Sequence, residues 1–291
     1  MASQPGQPTS DGEDLKGLGS QFGGAIWFKG NEPKRRIVKR LLGWLDTDSE
    51  LRDETQQKRY SQMREPGTGR WLFESPEFQD WMTTPESSTL WCHGILGAGK
   101  TVMTSLVIET LRNKFAMNEE VAIAFRYLGV DGHRDSLTDV LTEVIKQVII
   151  SEHGDLLRGR WYGLLDKRQK GNGSLVEMLC SIFYGRYRTV FVVLDGLDAL
   201  GLEEKEKLLA CFDQVERHSG STIKLLLTSR DTGKDVLKER RSFTRLEIRA
   251  SNYDITLHVN SHIRSDLPFI AKEPVLQDYI KDIIVKLADG M

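Results

Sequence analysis

An apolar run, Leu90-Trp91-Cys92, leads into Gly94-Ile95-Leu96-Gly97-Ala98-Gly99-Lys100-Thr101, and a stretch carrying Val102, Leu106, Val107 and Leu111 follows at once. No other segment limits the fold so tightly. Glycines let the backbone curl until successive N–H groups point inward, and a helix opening at the end of the loop adds roughly half a positive charge in the same direction. Such a loop is a cradle for anions. With Lys and a hydroxyl at its end it fits GxxxxGK[ST], in which the lysine reaches the β- and γ-phosphates of a nucleotide and the hydroxyl ligates Mg²⁺. The pattern requires a strand before it and a helix after it, and the sequence supplies both. Gly94, Gly97, Ala98, Gly99, Lys100 and Thr101 are therefore the candidate nucleotide-binding residues, with Thr101 also a candidate for the metal.

From residue 88 onward, short β-rich runs alternate with amphipathic stretches. The pattern predicts strands at 88–93, 121–128, 189–194, 223–228 and 244–248, with helices at about 100–114, 135–151, 174–185 and 202–217. Alternating strands and helices give an α/β fold, here a parallel β-sheet flanked by helices. The run Phe191-Val192-Val193-Leu194-Asp195 stays apolar until its final acid, as a central strand buried on both faces would. It delivers Asp195 to the C-terminal edge of the sheet, where open α/β folds bind ligands. Asp195 is then a candidate for holding Mg²⁺, and Asp198 for polarising an attacking water. A third run, Lys224-Leu225-Leu226-Leu227-Thr228-Ser229-Arg230, ends in hydroxyls and a guanidinium. The fork of Arg230 matches phosphate oxygens and suits a group that tells triphosphate from diphosphate; the plainer alternative is an Arg that caps the strand or pairs with Asp231.

The flanks are less specific. Residues 1–32 are poor in large apolar side chains and are expected to be a disordered leader. Residues 33–85 are expected to be helical in parts, beginning at Pro33 with Ile37, Leu41 and Leu45 at helical spacing. Lys34, Arg35, Arg36, Lys39 and Arg40 on that stretch read as a solvated face. Residues 46–58 read as polar connection, Pro66-Gly67-Thr68-Gly69 as a turn, and Pro76 as the start of a short helix. Trp71, Phe78 and Trp81 form a cluster that fastens this entry onto the sheet, and Thr68 and Gly69 are candidates for an approach to base or ribose. Residues 86–250 make the core and 251–291 the beginning of a helical lid. Apolar residues at 275, 276, 279, 280, 283, 284 and 287 form a wide stripe, which must fold back on the sheet or drive self-association.

Forty basic residues against forty-two acidic ones leave a formal charge of −2, so no global field draws the chain onto nucleic acid or an anionic membrane. No apolar run approaches the roughly 20 residues that span a bilayer. The three cysteines and six histidines show no ligand spacing. These features fit a cytoplasmic protein with reduced thiols.

Three motifs in this order, LWCHGILGAGKT, VFVVLDGLDAL and KLLLTSRD, resemble the phosphate-loop, Walker B and sensor strands of the NACHT class of STAND nucleotide-switch ATPases. The segment GTGRWLFESPEFQDWM is similar to the entry of the nephrocystin-3-like subgroup, and RASNYDITLHVNSHI to the lead-in of its first lid helix. The resemblance covers about residues 40–291. It implies a P-loop NTPase that binds ATP/ADP, or GTP, with Mg²⁺: phosphate contacts from Gly97, Gly99, Lys100 and Thr101, metal handling by Asp195, and γ-phosphate sensing by Arg230. Two departures count. The family often carries Glu where Ala199 stands, which implies slow turnover. Its members usually continue into a winged helix and repeats that bind other proteins, whereas this sequence ends within the lid region. The leading reading is a slowly hydrolysing signalling switch. The alternatives are a non-catalytic interaction module and, more weakly, a ring-forming mechanical ATPase, for which no convincing arginine finger is visible.

Overall fold

The computed structural model describes residues 52–132, 135–151, 172–231, 243–267 and 269–288. The predicted leader and the basic helix beginning at Pro33 lie outside the described residues. At the centre is an all-parallel sheet of β1 (Ser88–His93), β2 (Val121–Tyr127), β3 (Thr189–Asp195), β4 (Thr222–Ser229) and β5 (Phe243–Glu247), in the spatial order β2-β3-β4-β1-β5. Each strand lies within one residue, at either end, of the run predicted from apolar patterning.

The helices, in chain order, are α1 (Arg52–Met63), α2 (Arg70–Glu74), α3 (Pro76–Thr83), α4 (Lys100–Phe115), α5 (Leu137–Ser151), α6 (Asn172–Phe183), α7 (Leu202–Ser219), α8 (Asn252–Asp266) and α9 (Pro274–Ala288). Side chains alternate across a strand, so β3 serves two cores at once. Val190, Val192 and Leu194 pack with Leu141 of α5, Leu179 of α6 and Leu208 of α7. Phe191 and Val193 pack on the other side with Leu72, Phe78, Trp81 and Ile108, which come from α2, α3 and α4. The cluster predicted for Trp71, Phe78 and Trp81 is thus in place: Trp81 meets Phe191 edge-on at 5.5 Å, and Trp71 is partly buried against the same core.

Local chemistry fixes the helix starts. Ser136 and Asp139 bond reciprocally at the head of α5, and the Ser75 hydroxyl accepts from the Phe78 N–H, with Pro76 in the first turn of α3. Ser251 caps α8 in the same way through the Asp254 N–H. The Asp254 carboxylate also accepts from Gly69 N and Trp71 Nε1, at 3.2 and 3.0 Å. Gly69, a candidate for base or ribose contact, is therefore committed to α8, and the Thr68 hydroxyl donates to the Glu65 carbonyl.

The α9 stripe divides. Of the stripe, Ile280 packs with its off-stripe neighbours Val285 and Ala288 beside Ile255, Val259, Ile263 and Ile270 in a small core with α8, while Val275, Leu276, Tyr279, Ile284 and Leu287 stand exposed. The helix folds back on α8, not on the sheet.

One stretch departs from the sequence reading. Residues from 52 onward, expected as polar connection, form α1, a helix whose buried residues are all polar: Asp53, Gln56 and Gln57. They close the open edge of β2. Asp53 accepts from the Tyr127 N–H at 2.8 Å, and Gln147 of α5 pairs with both the N–H and the C=O of Phe125. Beneath them Arg126, 3% exposed, bridges Asp53 and Asp135 at 2.7 and 2.6 Å. Burial alone would lower the guanidinium pKa, but the two carboxylates outweigh it and hold Arg126 charged. Removing the cation would strand two buried carboxylates. Arg126→Met should therefore cost about 3–5 kcal/mol. Urea unfolding measures it, and a loss below about 1 kcal/mol would mean that the triad does not hold the edge.

Candidate functional site

The strand order places β4 between β1 and β3, so the loop after β1 and the acid ending β3 sit on either side of one strand. All three converge at the C-terminal edge. Gly97 and Gly99 adopt φ of 86° and 85°, the left-handed region that glycine enters without strain. A Cβ on Gly94 would stand 2.5 Å from the Ile248 carbonyl, so the loop can leave β1 only through a residue without a side chain. Beside Gly99 the space is open, with no atom within 4 Å of where a Cβ would lie. Helix α4 begins at Lys100, and its first-turn N–H groups have no partner within the helix. Ala98 is buried, its N–H turned back to the Ile95 carbonyl at 3.3 Å. The Lys100 ammonium donates to the Gly94 and Ile95 carbonyls at 2.8 Å each. Burial lowers its pKa, opposed by Asp198 and Asp195.

Asp195 is the best-held group of the site. Its carboxylate accepts from Thr101 Oγ1 at 2.8 Å, Thr104 Oγ1 at 2.9 Å and Thr228 Oγ1 at 2.7 Å. Burial raises the pKa and these bonds oppose the rise. Because Thr101 spends its proton on Asp195, its lone pairs are free to face a hard cation. A threonine oxygen beside a carboxylate is an oxygen donor set of the kind Mg²⁺ takes. Among the described residues no group of three or more His, Cys, Asp and Glu could hold a metal ion; Mg²⁺ typically takes only one or two carboxylates and fills its shell with water and phosphate oxygens.

Arg230 and Asp198 meet each other instead of Asp231. The Arg230 Nε donates to Asp198 Oδ2 at 2.6 Å and the Arg230 N–H to Oδ1 at 3.2 Å. Burial pushes Asp198 up, but the guanidinium prevails and leaves the carboxyl below its ordinary pKa. Ala199 closes the short 3₁₀ turn after β3, its N–H bonded to Gly196.

A cleft of about 750 Å³ gathers Gly97, Gly99, Lys100, Thr101, Asp195, Asp198 and Arg230. The same cleft is also lined by residues that the motifs do not point to: Arg59 and Tyr60 of α1, with Leu128, Gly129 and Val130 after β2. Thr104 also went unremarked, although a threonine one turn after Thr101 on an apolar helix face is a signal of the same kind.

A parallel sheet in this order, with a glycine loop feeding a helix and a hydroxyl-bound acid on the strand one further along, beyond β4, defines the P-loop NTPase fold. The family model for nephrocystin 3, N-terminal, matches residues 67–230, more than half of the sequence. The chain belongs to that family. No curated protein matches it. Among solved structures, the Drosophila ORC bound to DNA is 14% identical with a TM-score of 0.44, covering 100% of this chain and 60% of that one. The Aeropyrum pernix ORC2 protein is 11% identical with a TM-score of 0.41, covering 72% and 50%. A Walker-type ATPase of Pyrococcus abyssi is 16% identical with a TM-score of 0.41, covering 75% and 62%. The chain thus spans between half and two thirds of the length of these structures, and the assignment above rests on topology and the family match, not on them.

The Asp195 clamp can be tested by itself. A hydrogen bond to a charged group contributes about 1.5–3 kcal/mol, so Thr104→Val should lower stability by about that amount in chemical denaturation. A smaller loss would mean that Asp195 is neutral or that the bond is not formed.

Proposed function

We propose that this chain binds a nucleoside triphosphate, ATP or GTP, with Mg²⁺ at the cleft and acts as a slowly hydrolysing NACHT-type signalling switch. The observation that carries this is the pairing of Thr101 with Asp195 in the cleft that the glycine loop also lines, with open space beside Gly99. In this reading Gly94, Gly97, Ala98 and Gly99 shape the cradle, and the first-turn N–H groups of α4 donate to phosphate oxygens. Lys100 leaves the loop carbonyls for the phosphates. Thr101 and Asp195 hold the metal, whose charge offsets that of the phosphates. Asp198 orients water and Arg230 reads the terminal phosphate. Other proteins, or a second copy through the exposed stripe of α9, receive the signal, in the cytoplasm.

One feature favours the second reading, a nucleotide-binding interaction module without turnover. Asp198 and Arg230 satisfy each other, and the residue after Asp198 is Ala199, not an acid. Unless a γ-phosphate draws Arg230 away, neither group is available for chemistry.

Two measurements test these roles. Lys100 contributes charge-assisted bonds of about 1.5–3 kcal/mol, so Lys100→Ala should weaken nucleotide binding roughly ten- to a hundredfold. An unchanged dissociation constant in a folded variant removes the loop from the argument. Arg230→Ala should reduce affinity for a non-hydrolysable triphosphate more than for the diphosphate. Equal losses would make Arg230 a structural partner of Asp198, and absence of multiple-turnover phosphate release in the wild type would favour the module.

A further inference from the structure

The cleft holds more positive charge than the motifs account for. Three cations line it, Lys100, Arg230 and Arg59, against the carboxylates of Asp195 and Asp198. Lys100 is bonded to the loop carbonyls and Arg230 to Asp198. Arg59 is exposed and has no hydrogen bond or ion pair among the described residues. Its backbone is nonetheless firmly set. Gln57 donates to the Ser105 carbonyl of α4 at 2.9 Å and accepts from the Tyr127 hydroxyl at 2.6 Å. Glu54 pairs with Arg112, and Asp53 locks α1 to the end of β2. Tyr60, the next residue, lies 5.0 Å from the Tyr127 ring, centroid to centroid. A rigid helix therefore presents a guanidinium without a partner to the cleft.

The position points to one part of a nucleotide. Arg59 lines the same cleft as Thr101 and Asp195, which are paired with each other through the Thr101 hydroxyl. Thr101 and Asp195 would hold the metal that accompanies a triphosphate and would supply charge against its phosphates, so the terminal phosphate would come into the part of the cleft that this pair lines. Resting on the nucleotide-binding reading above, we infer that Arg59 is a nucleotide-contacting residue that binds the terminal phosphate from α1, within the same chain. Guanidinium suits the task because its fork can take two phosphate oxygens at once. A triphosphate then bridges α1 to α4, and a diphosphate does not.

Calorimetric titration of the full chain with Mg²⁺ and either ADP or a non-hydrolysable triphosphate tests this in wild type, Lys100→Ala, Arg59→Ala and Arg59→Lys. Arg59→Ala should weaken the triphosphate about tenfold and ADP less than twofold, while Arg59→Lys recovers part of the loss. Lys100→Ala should weaken both ligands. Triphosphate binding by Arg59→Ala equal to wild type, with Lys100→Ala impaired, overturns the assignment and leaves the site reading intact. Equal losses for the two nucleotides also overturn it, since that would place Arg59 away from the terminal phosphate. Wild-type protein that binds neither nucleotide, or Lys100→Ala that binds both normally, sinks the site reading and this inference with it. Arg59 is exposed, so its variants should keep the wild-type circular dichroism spectrum and melting temperature.

Discussion

A carboxylate at the end of a strand buried on both faces has lost its water, and burial pushes Asp195 toward the neutral acid. Three hydroxyls oppose that push, and each comes from a different place: Thr101 from the first turn of α4, Thr104 from the next, Thr228 from the end of β4. The group is therefore also a fastener. It ties the helix after β1 to β3 across the intervening β4, and the Thr228 oxygen in turn accepts the Gly196 N–H. The loop that curls above it gains a fixed floor. If α4 slid along its axis, Thr101 and Thr104 would both leave Asp195, and the helix N-terminus would lose its aim at the cradle. Cradle and acid belong to one arrangement.

Polar geometry of this kind is demanding, while the apolar layers around it are tolerant. Swapping one core aliphatic for another of similar volume usually costs under about 1.5 kcal/mol. A buried carboxylate deprived of its donors costs more and has fewer ways to recover. The α5, α6 and α7 side of the sheet is almost wholly apolar and acts as backing. The opposite side carries an aromatic core, and at the open edge of β2 the Asp53–Arg126–Asp135 triad and the Gln147 amide of α5 join the two sides. The aromatic side carries the cleft.

This division explains what could be read from the sequence. Strands and core helices were legible because burial on a sheet writes itself as apolar runs and helical stripes, as in Phe191–Leu194 or Leu208, Leu209, Phe212 and Val215. The glycine loop was legible because its spacing states its own geometry. Helix α1 was not, since its buried residues are Asp53, Gln56 and Gln57 and apolar periodicity is blind to them. Arg59 and Tyr60 went unseen with it, because a residue cannot be placed at a site before its element is recognised. The Asp198–Arg230 pair was hidden for another reason. Both residues were singled out, but a contact between two loops 32 residues apart leaves no periodic mark in either.

That contact gives the edge of the sheet two arrangements with different charge. When Arg230 is held by Asp198, their charges cancel and Lys100, Arg59 and Asp195 remain to set the field of the cleft. A phosphate that drew Arg230 away would gain a cation and uncover a carboxylate in the same movement. Coulomb repulsion between that carboxylate and a nearby phosphate then opposes the exchange, unless a cation lies between them. An ion on Thr101 and Asp195 would stand close by. The exchange is therefore favoured only by a ligand that brings both a terminal phosphate and a metal, and a bare anion of similar size would leave the pair closed. On the proposed reading, selectivity for a metal-bound triphosphate would follow from the pairing of Arg230 with Asp198, without any contact to the base.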